Sequence, residues 1–226
     1  MFAEFVYCYL LRPWPLRQLT NWTIRRLLPK QVEIHGATVV LNPTDPVVSG
    51  ALHFGVYEKA ETLFFRSTCR DGMTFLDVGA NLGYYTALAA RAVGPNGRVL
   101  AVEPDPDSFG YLEQTIAANA VGNVQAFPVA ASDAPATLPL YISTDNRGDN
   151  RLYASGEDRP QVEVTARPLD ALLRENKIDT VDLIKIDVQG YEPKVIAGLR
   201  ETITASPNLT LLTEFWPQGI DEAGEN

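Results

Sequence analysis

From Thr74 to Phe215, short apolar runs alternate with stretches of helical periodicity, and this alternation constrains the fold more than any other feature of the chain. TFLDVG (74–79), RVLAVEP (98–104), VQAFPVAAS (124–132), VDLIKIDV (181–188) and NLTLLTEF (208–215) read as strands. YYTALAARAV (84–93), the stretch 107–119, PLDALLREN (168–176) and 193–204 read as the helices between them. Apolar strands joined by helical crossovers need a mainly parallel sheet covered on both faces, which is a doubly wound, Rossmann-like α/β fold. LPLYIS (138–143) and VEVTA (162–166) read as added strands around a polar loop, 144–160.

The first quarter of the chain follows a different pattern. Residues 1–30 read as one or two short amphipathic helices interrupted by Pro13 and Pro15. Residues 32–41 read as a hairpin turning at His35-Gly36, and 43–50 as a loop. Residues 55–68 read as a helix with Ala60, Leu63 and Phe64 on one face. Arg12, Arg17, Arg25, Arg26 and Lys30 against Glu4 give residues 1–30 a charge of +4 in a chain of net charge −9.

That balance excludes several classes. A strongly acidic chain does not neutralise a phosphate backbone, so no nucleic-acid partner is expected. No apolar run is long enough to cross a membrane. The N-terminal cations follow the apolar MFAEFVYCYLL, the reverse of a secretory leader. That order suits either peripheral contact of residues 1–30 with an anionic membrane or a helix packed on the domain. Cys8 and Cys69 form neither a disulfide framework nor a metal cluster, so a cytoplasmic setting is the default.

The loop after the first strand, DVGANLG (77–83), carries the first chemical signal. Gly79 and Gly83 permit a tight turn, with Ala80 and Asn81 between them, where ligands of open α/β sheets bind. The spacing departs from the dinucleotide fingerprint, and Asp77 would repel a pyrophosphate while suiting an ammonium group, directly or through water. These two features disfavour a nicotinamide-dependent oxidoreductase. Glu103-Pro104 ends the second strand, 24 residues after Gly79, where a carboxylate can accept from both hydroxyls of a ribose. Ser132-Asp133 ends the third strand, where an adenine amino group could be met. Together these positions describe an adenosine carrying a zwitterionic amino acid, S-adenosylmethionine (SAM).

The chain resembles the class I SAM-dependent methyltransferases, and within them the FkbM-type family, from about Gly55 to Glu214. The resemblance rests on GVYEKAET (55–62), FLDVGANLGYYT (75–86), VLAVEPDP (99–106), PVAASD (128–133), LDALL (169–173) and, most specifically, DLIKIDVQGYEPKVIAGL (182–199). It implies O-methylation of hydroxyls on small molecules, sugars or lipids, and places Tyr57 and Glu58 where the family closes the SAM site. Gln189 stands where members commonly have Glu. Residues 1–50 are then a helical and hairpin extension and 51–226 the methyltransferase domain. Its C-terminus is expected to be incomplete, because WPQGIDEAGEN after the fifth strand cannot supply a helix and two further strands.

Strand alternation in VDLIKIDV puts Lys185 and Asp187 on one side, with Glu214 ending the neighbouring strand. Asp187 is the first candidate base for the acceptor hydroxyl and Glu214 the second, since a carboxylate in hydrogen-bond reach can take its proton. The alternative is a Lys185–Asp187 pair that only orders the strand end. Asp187 also lies beside the expected methyl group. His53 is a further candidate base, or else a packing or surface residue. A metal on Asp187 and Glu214 would lack further ligands, and none is expected. Loop 144–160, with Asn146, Arg147, Asp149, Asn150 and Arg151, is either a solvated surface loop or a lid over the acceptor. A non-catalytic SAM-binding module is the remaining alternative function.

Overall fold

The computed structural model describes residues 16–144, 146–156 and 158–224. The expectations for residues 1–15 lie outside them. In chain order, α1 (Leu16–Leu27) leads to the hairpin β1 (Gln31–Ile34) and β2 (Ala37–Val40), then α2 (Pro46–His53) and α3 (Lys59–Thr68). The alternating part follows as β3 (Thr74–Val78), α4 (Tyr84–Ala92), β4 (Arg98–Val102), α5 (Pro106–Asn119) and β5 (Val124–Phe127). Three strands form a side sheet: β6 (Ala130–Ala131), β7 (Ala136–Tyr141) and β8 (Gln161–Arg167). The chain returns through α6 (Leu169–Glu175), β9 (Leu183–Ile186), α7 (Glu192–Ala197), α8 (Arg200–Ala205), β10 (Thr210–Thr213) and α9 (Pro217–Glu222).

The main sheet is parallel throughout, in the order β10-β9-β3-β4-β5. Strand order therefore reverses between β3 and β9, and the crevice above their carboxyl ends is where such sheets bind ligands. Its two-residue period separates two cores. Phe75, Val99 and Leu183 pack with Phe65, Tyr84, Tyr85 and the hairpin residues Ala37 and Val39 on one face. Leu76, Val78, Leu100, Ile184 and Ile186 pack with Leu169, Leu172, Val195 and Leu199 on the other. The hairpin turns at His35 (φ 52°) and Gly36 (φ 81°) and is tied to α5. There Asn119 Oδ1 accepts from Thr38 N at 3.0 Å, and Thr115 Oγ1 accepts from Val40 N at 3.0 Å.

Four readings of the sequence are corrected. Residues 46–53 form α2 rather than a loop, because Asp45 caps the helix, accepting from Val47 N and Val48 N, and Pro46 sits in its first turn. That cap-and-proline pair was the signal available for it. The helix expected over 55–68 begins only at Lys59, after left-handed turns at Gly55 and Glu58. Its inward face is Thr62 and Phe65, continued by Cys69, while Ala60, Leu63 and Phe64 are exposed. The third strand splits after Phe127, so that Ala130–Ala131 pair in the side sheet. The helix expected over 193–204 is two short helices meeting at Gly198, where a Cβ would lie 2.0 Å from the Ser132 carbonyl oxygen.

Beyond the edge strand β10, the described residues of the tail form α9. Arg151 lies over the Trp216 ring at 4.8 Å and pairs with Glu222 at 3.3 Å. No helix among the described residues is long and apolar enough to cross a membrane. On α1, Ile24 is buried, whereas Trp22 and Leu27 are exposed.

Phe65 joins α3 to the sheet through edge contacts with Phe75 and Tyr85, at 5.1 and 5.2 Å between ring centroids. Phe65→Ala is expected to cost about 3–5 kcal/mol in urea unfolding. Leu63→Ala, on the exposed face of the same helix, should cost under about 0.5 kcal/mol.

Candidate active site

A cavity of about 410 Å³ opens above the crevice between β3 and β9. Pockets of about 300–1,000 Å³ hold ligands of cofactor size. Gly79, Asn81, Glu103, Pro104, Tyr57, Glu58, Lys185, Asp187 and Glu214 all line it.

The two sides of the crevice meet closely. Asp187 N donates to the Val78 carbonyl at 3.0 Å. Gly79 has φ 80°, and a Cβ there would sit 2.0 Å from the Asp187 carbonyl oxygen. The glycine is therefore required by the neighbouring strand as much as by any ligand. Asn81 adopts φ 50°, a conformation that Asn tolerates better than most residues. Gly83 starts α4 at φ 84° against Leu112, and Ala80 is buried with Leu112 and Ala101; both shape the loop without lining the cavity.

Glu103 locks this loop to the second strand. Its Oε2 accepts from Asn81 N at 2.8 Å and its Oε1 from Asp105 N at 2.9 Å. Each oxygen keeps a lone pair, and the residue lines the cavity, so the geometry fits the ribose role. Burial pushes its carboxyl up to about 8, against the pull of those two amides and with help from Asp105 and Asp77.

Asp77 does not line the cavity. It is buried beneath the loop, accepting from Thr86 Oγ1 at 2.6 Å, with its pKa raised to about 6 by desolvation against the pull of Lys185. Because Asp77 and Lys185 are paired across β3 and β9, the cation it faces is the lysine of the next strand. Lys185 is itself buried, 3.0 Å from Asp187 Oδ2, 3.9 Å from Glu58 Oε2 and 4.8 Å from the Tyr85 ring centroid. Burial alone would favour a neutral amine, but Asp187, Glu58 and Asp77 outweigh it and raise the pKa, so the site keeps a fixed positive charge.

Three expected residues are elsewhere. Ser132 faces Tyr191, and Asp133 pairs with Lys194 at 3.2 Å, because the split after Phe127 turns them towards α7. The third strand instead lends Val129, Ala130 and Ala131 to the cavity. His53 ends α2 exposed, its ring 5.0 Å from Phe54, and lines no part of the cavity.

The roof comes from residues the pattern only partly announced. Asn146, Arg147, Gly148 and Asn150 of loop 144–160 line the cavity with Val47, Val48 and Ala51 of α2. The loop is pinned at the start of α5. Arg147 lies 3.4 Å from Asp105 and 3.6 Å from Asp107, and Asn150 Nδ2 donates to Asp105 Oδ2 at 3.1 Å. Asp149 holds the far side through Arg151 and Arg159. Gln189 also lines the cavity, with its amide between Asp187 and Glu214. Among the described residues no group of three or more His, Cys, Asp or Glu is arranged to hold a metal ion.

The raised Glu103 carboxyl has a consequence for pH. The folded protein holds this proton more tightly than the unfolded chain, whose value is near 4.5. Its contribution to stability is complete below that pH and is lost as pH rises through about 8. Wild-type urea midpoints should therefore fall further between pH 5 and pH 8 than those of Glu103→Gln; equal slopes would contradict the shift.

Sequence comparison places this geometry in a family. The model described as "Methyltransferase FkbM domain" matches residues 77–223. Methyltransferase sdnD of Sordaria araneosa is 27% identical over 64% of this chain and 67% of its own length. Methyltransferase 1 of Beauveria bassiana is 27% identical over 57% and 59%. The 2-O-methyltransferase NoeI of Sinorhizobium fredii is 28% identical over 65% of each. The matched part thus spans about two thirds or less of these relatives. With its parallel sheet, its glycine loop and the acid that braces that loop, the chain belongs to the methyltransferase FkbM domain family of SAM-dependent methyltransferases.

Proposed function

We propose that the chain methylates a hydroxyl group on a small molecule, a sugar or a lipid. The observation that carries this reading is the pair of carboxylates, Asp187 and Glu214, on the cavity wall one and two strands away from the glycine loop. An alcohol is a poor nucleophile until its proton has an acceptor, and a carboxylate within hydrogen-bond reach supplies one. The relative named as a 2-O-methyltransferase supports the same acceptor chemistry.

In this reading Glu103 holds the ribose hydroxyls and the backbone at 79–81 lines the cofactor. Val129–Ala131 flank it, and Tyr57 and Glu58 close it. Bound SAM supplies the methyl group from its sulfonium. The protein's own part is alignment, proton acceptance and exclusion of water by the pinned roof. The polar roof residues Asn146, Arg147 and Asn150 suit a hydroxylated acceptor.

Two measurements test the proposal. Glu103→Ala should weaken SAM binding by about 2–4 kcal/mol in calorimetry run above pH 8, where the carboxylate is charged, the loss expected for two hydrogen bonds to a charged acceptor; unchanged affinity would remove the ribose assignment. A labelled-methyl screen over sugars, lipids and small alcohols should give an alkali-stable ether product. Tight SAM binding without transfer to any of them would favour a non-catalytic SAM-binding module.

We also propose peripheral membrane contact through the N-terminal segment, supported by exposed Trp22 and Leu27 beside Arg25 and Arg26 on α1. One amphipathic segment gives reversible, charge-dependent attachment. Co-sedimentation should rise with the anionic lipid content of vesicles and fall with salt; insensitivity to both would contradict the contact.

A further inference from the structure

We propose that Gln189 is a positioning residue that divides the work of the two carboxylates, fixing Asp187 as an anchor and leaving Glu214 to take the proton of the acceptor hydroxyl. The inference rests on the methyl-transfer reading above.

The Gln189 side-chain amide has two N–H bonds, and both are used. Nε2 donates to Asp187 Oδ1 and to Glu214 Oε2, each at 2.9 Å. The backbone that aims it is tightly held. Gln189 has φ 53°, a left-handed conformation that a non-glycine residue keeps only when its surroundings impose it. Its carbonyl accepts from the Tyr153 hydroxyl at 2.9 Å. The flanking amides of Val188 and Gly190 donate to the two oxygens of Glu192, at 3.0 and 2.9 Å. A Cβ at Gly190 would lie 2.5 Å from the Gly219 carbonyl oxygen, so α9 closes the other side.

The two carboxylates emerge unequal. Asp187 has Lys185 on Oδ2 and Gln189 on Oδ1, so both of its oxygens are already engaged, one of them by a buried cation. Glu214 has Gln189 on Oε2, and its Oε1 accepts from no group among the described residues. It also stands at the exposed rim, where a proton can pass on to water. Partial desolvation and the neighbouring carboxylates of Asp187, Glu192 and Glu58 raise its proton affinity, with Lys185 opposing them. In the step inferred, the acceptor O–H bond breaks, the proton goes to Glu214 Oε1, and the electron pair stays on the acceptor oxygen. An amide suits position 189 because it donates to both acids without adding a further negative charge.

The test is a carboxyl titration of the full chain by NMR with ¹³C-labelled Asp and Glu, resonances being assigned with Asp187→Asn and Glu214→Gln. In the wild type the Glu214 midpoint should lie above the ordinary glutamate value. In Gln189→Met, which keeps the size and loses the donor, the Glu214 midpoint should rise by about half a pH unit or more. In Gln189→Glu the new acid and Glu214 should titrate as a coupled pair, with one midpoint shifted up by about one unit or more. A Glu214 midpoint unmoved in a variant with a native amide spectrum would overturn the proposal. If Gln189→Met fails to fold, Gln189→Glu decides alone. The titration needs neither acceptor nor turnover, so its failure would leave methyl transfer standing. Absence of transfer in the labelled-methyl screen would count against the reaction and not against the clamp.

Discussion

The site depends on how closely β3 and β9 approach at their carboxyl ends. The backbone of residue 79 lies against the Asp187 carbonyl with no space for a side chain, while Asp187 N bonds to Val78 O. This contact fixes the distance between the loop that faces the cofactor and the strand end that carries Asp187. Beneath it, Asp77 and Lys185 lie side by side in the buried sheet, a pairing that costs desolvation energy and is sustained by Thr86, Glu58 and Asp187. The glycine loop, the lysine and the outer carboxylates are thus parts of one construction.

Much of this was legible in the residues, for identifiable reasons. The alternation of apolar strands and helices gave the parallel sheet, since a strand covered on both faces has to be apolar along its length. Glu103 could be found because its place at the end of the second strand follows from the connectivity. The residues whose surroundings were not legible involve contacts distant in sequence. Asp77 reads as a ligand to something cationic; that the cation is Lys185 depends on a register between strands more than a hundred residues apart. Ser132 and Asp133 look correctly spaced, but Pro128 redirects the chain after Phe127. Leu63 and Phe64 look like a core face because they are apolar, yet left-handed turns before α3 set its rotation so that Thr62 and Phe65 face inward.

The roof shows a further limit. Loop 144–160 is polar throughout, and composition alone does not distinguish a solvated loop from a lid. What separates them is Asp105, whose Oδ2 receives Ser108, Asn150 and Arg147, and whose own amide donates to Glu103. One aspartate thus connects the cap of α5, the acid that braces the glycine loop and the roof.

The pinning of that loop also bears on how such a chain can diversify. The cofactor half is made of backbone, strand register and a buried charge pair, none of which changes readily one residue at a time. The roof is a chain excursion between two strands of a separate small sheet, fastened to Asp105 at the start of α5 by Arg147 and Asn150 and, within itself, by Asp149 to Arg151 and Arg159. Residues of the loop outside those fastenings, the packed Leu152 and the Tyr153 that holds Gln189, can be exchanged while these persist. A lineage built on this frame can therefore reshape one wall of the cavity by rewriting loop positions, with the parallel sheet untouched beneath them.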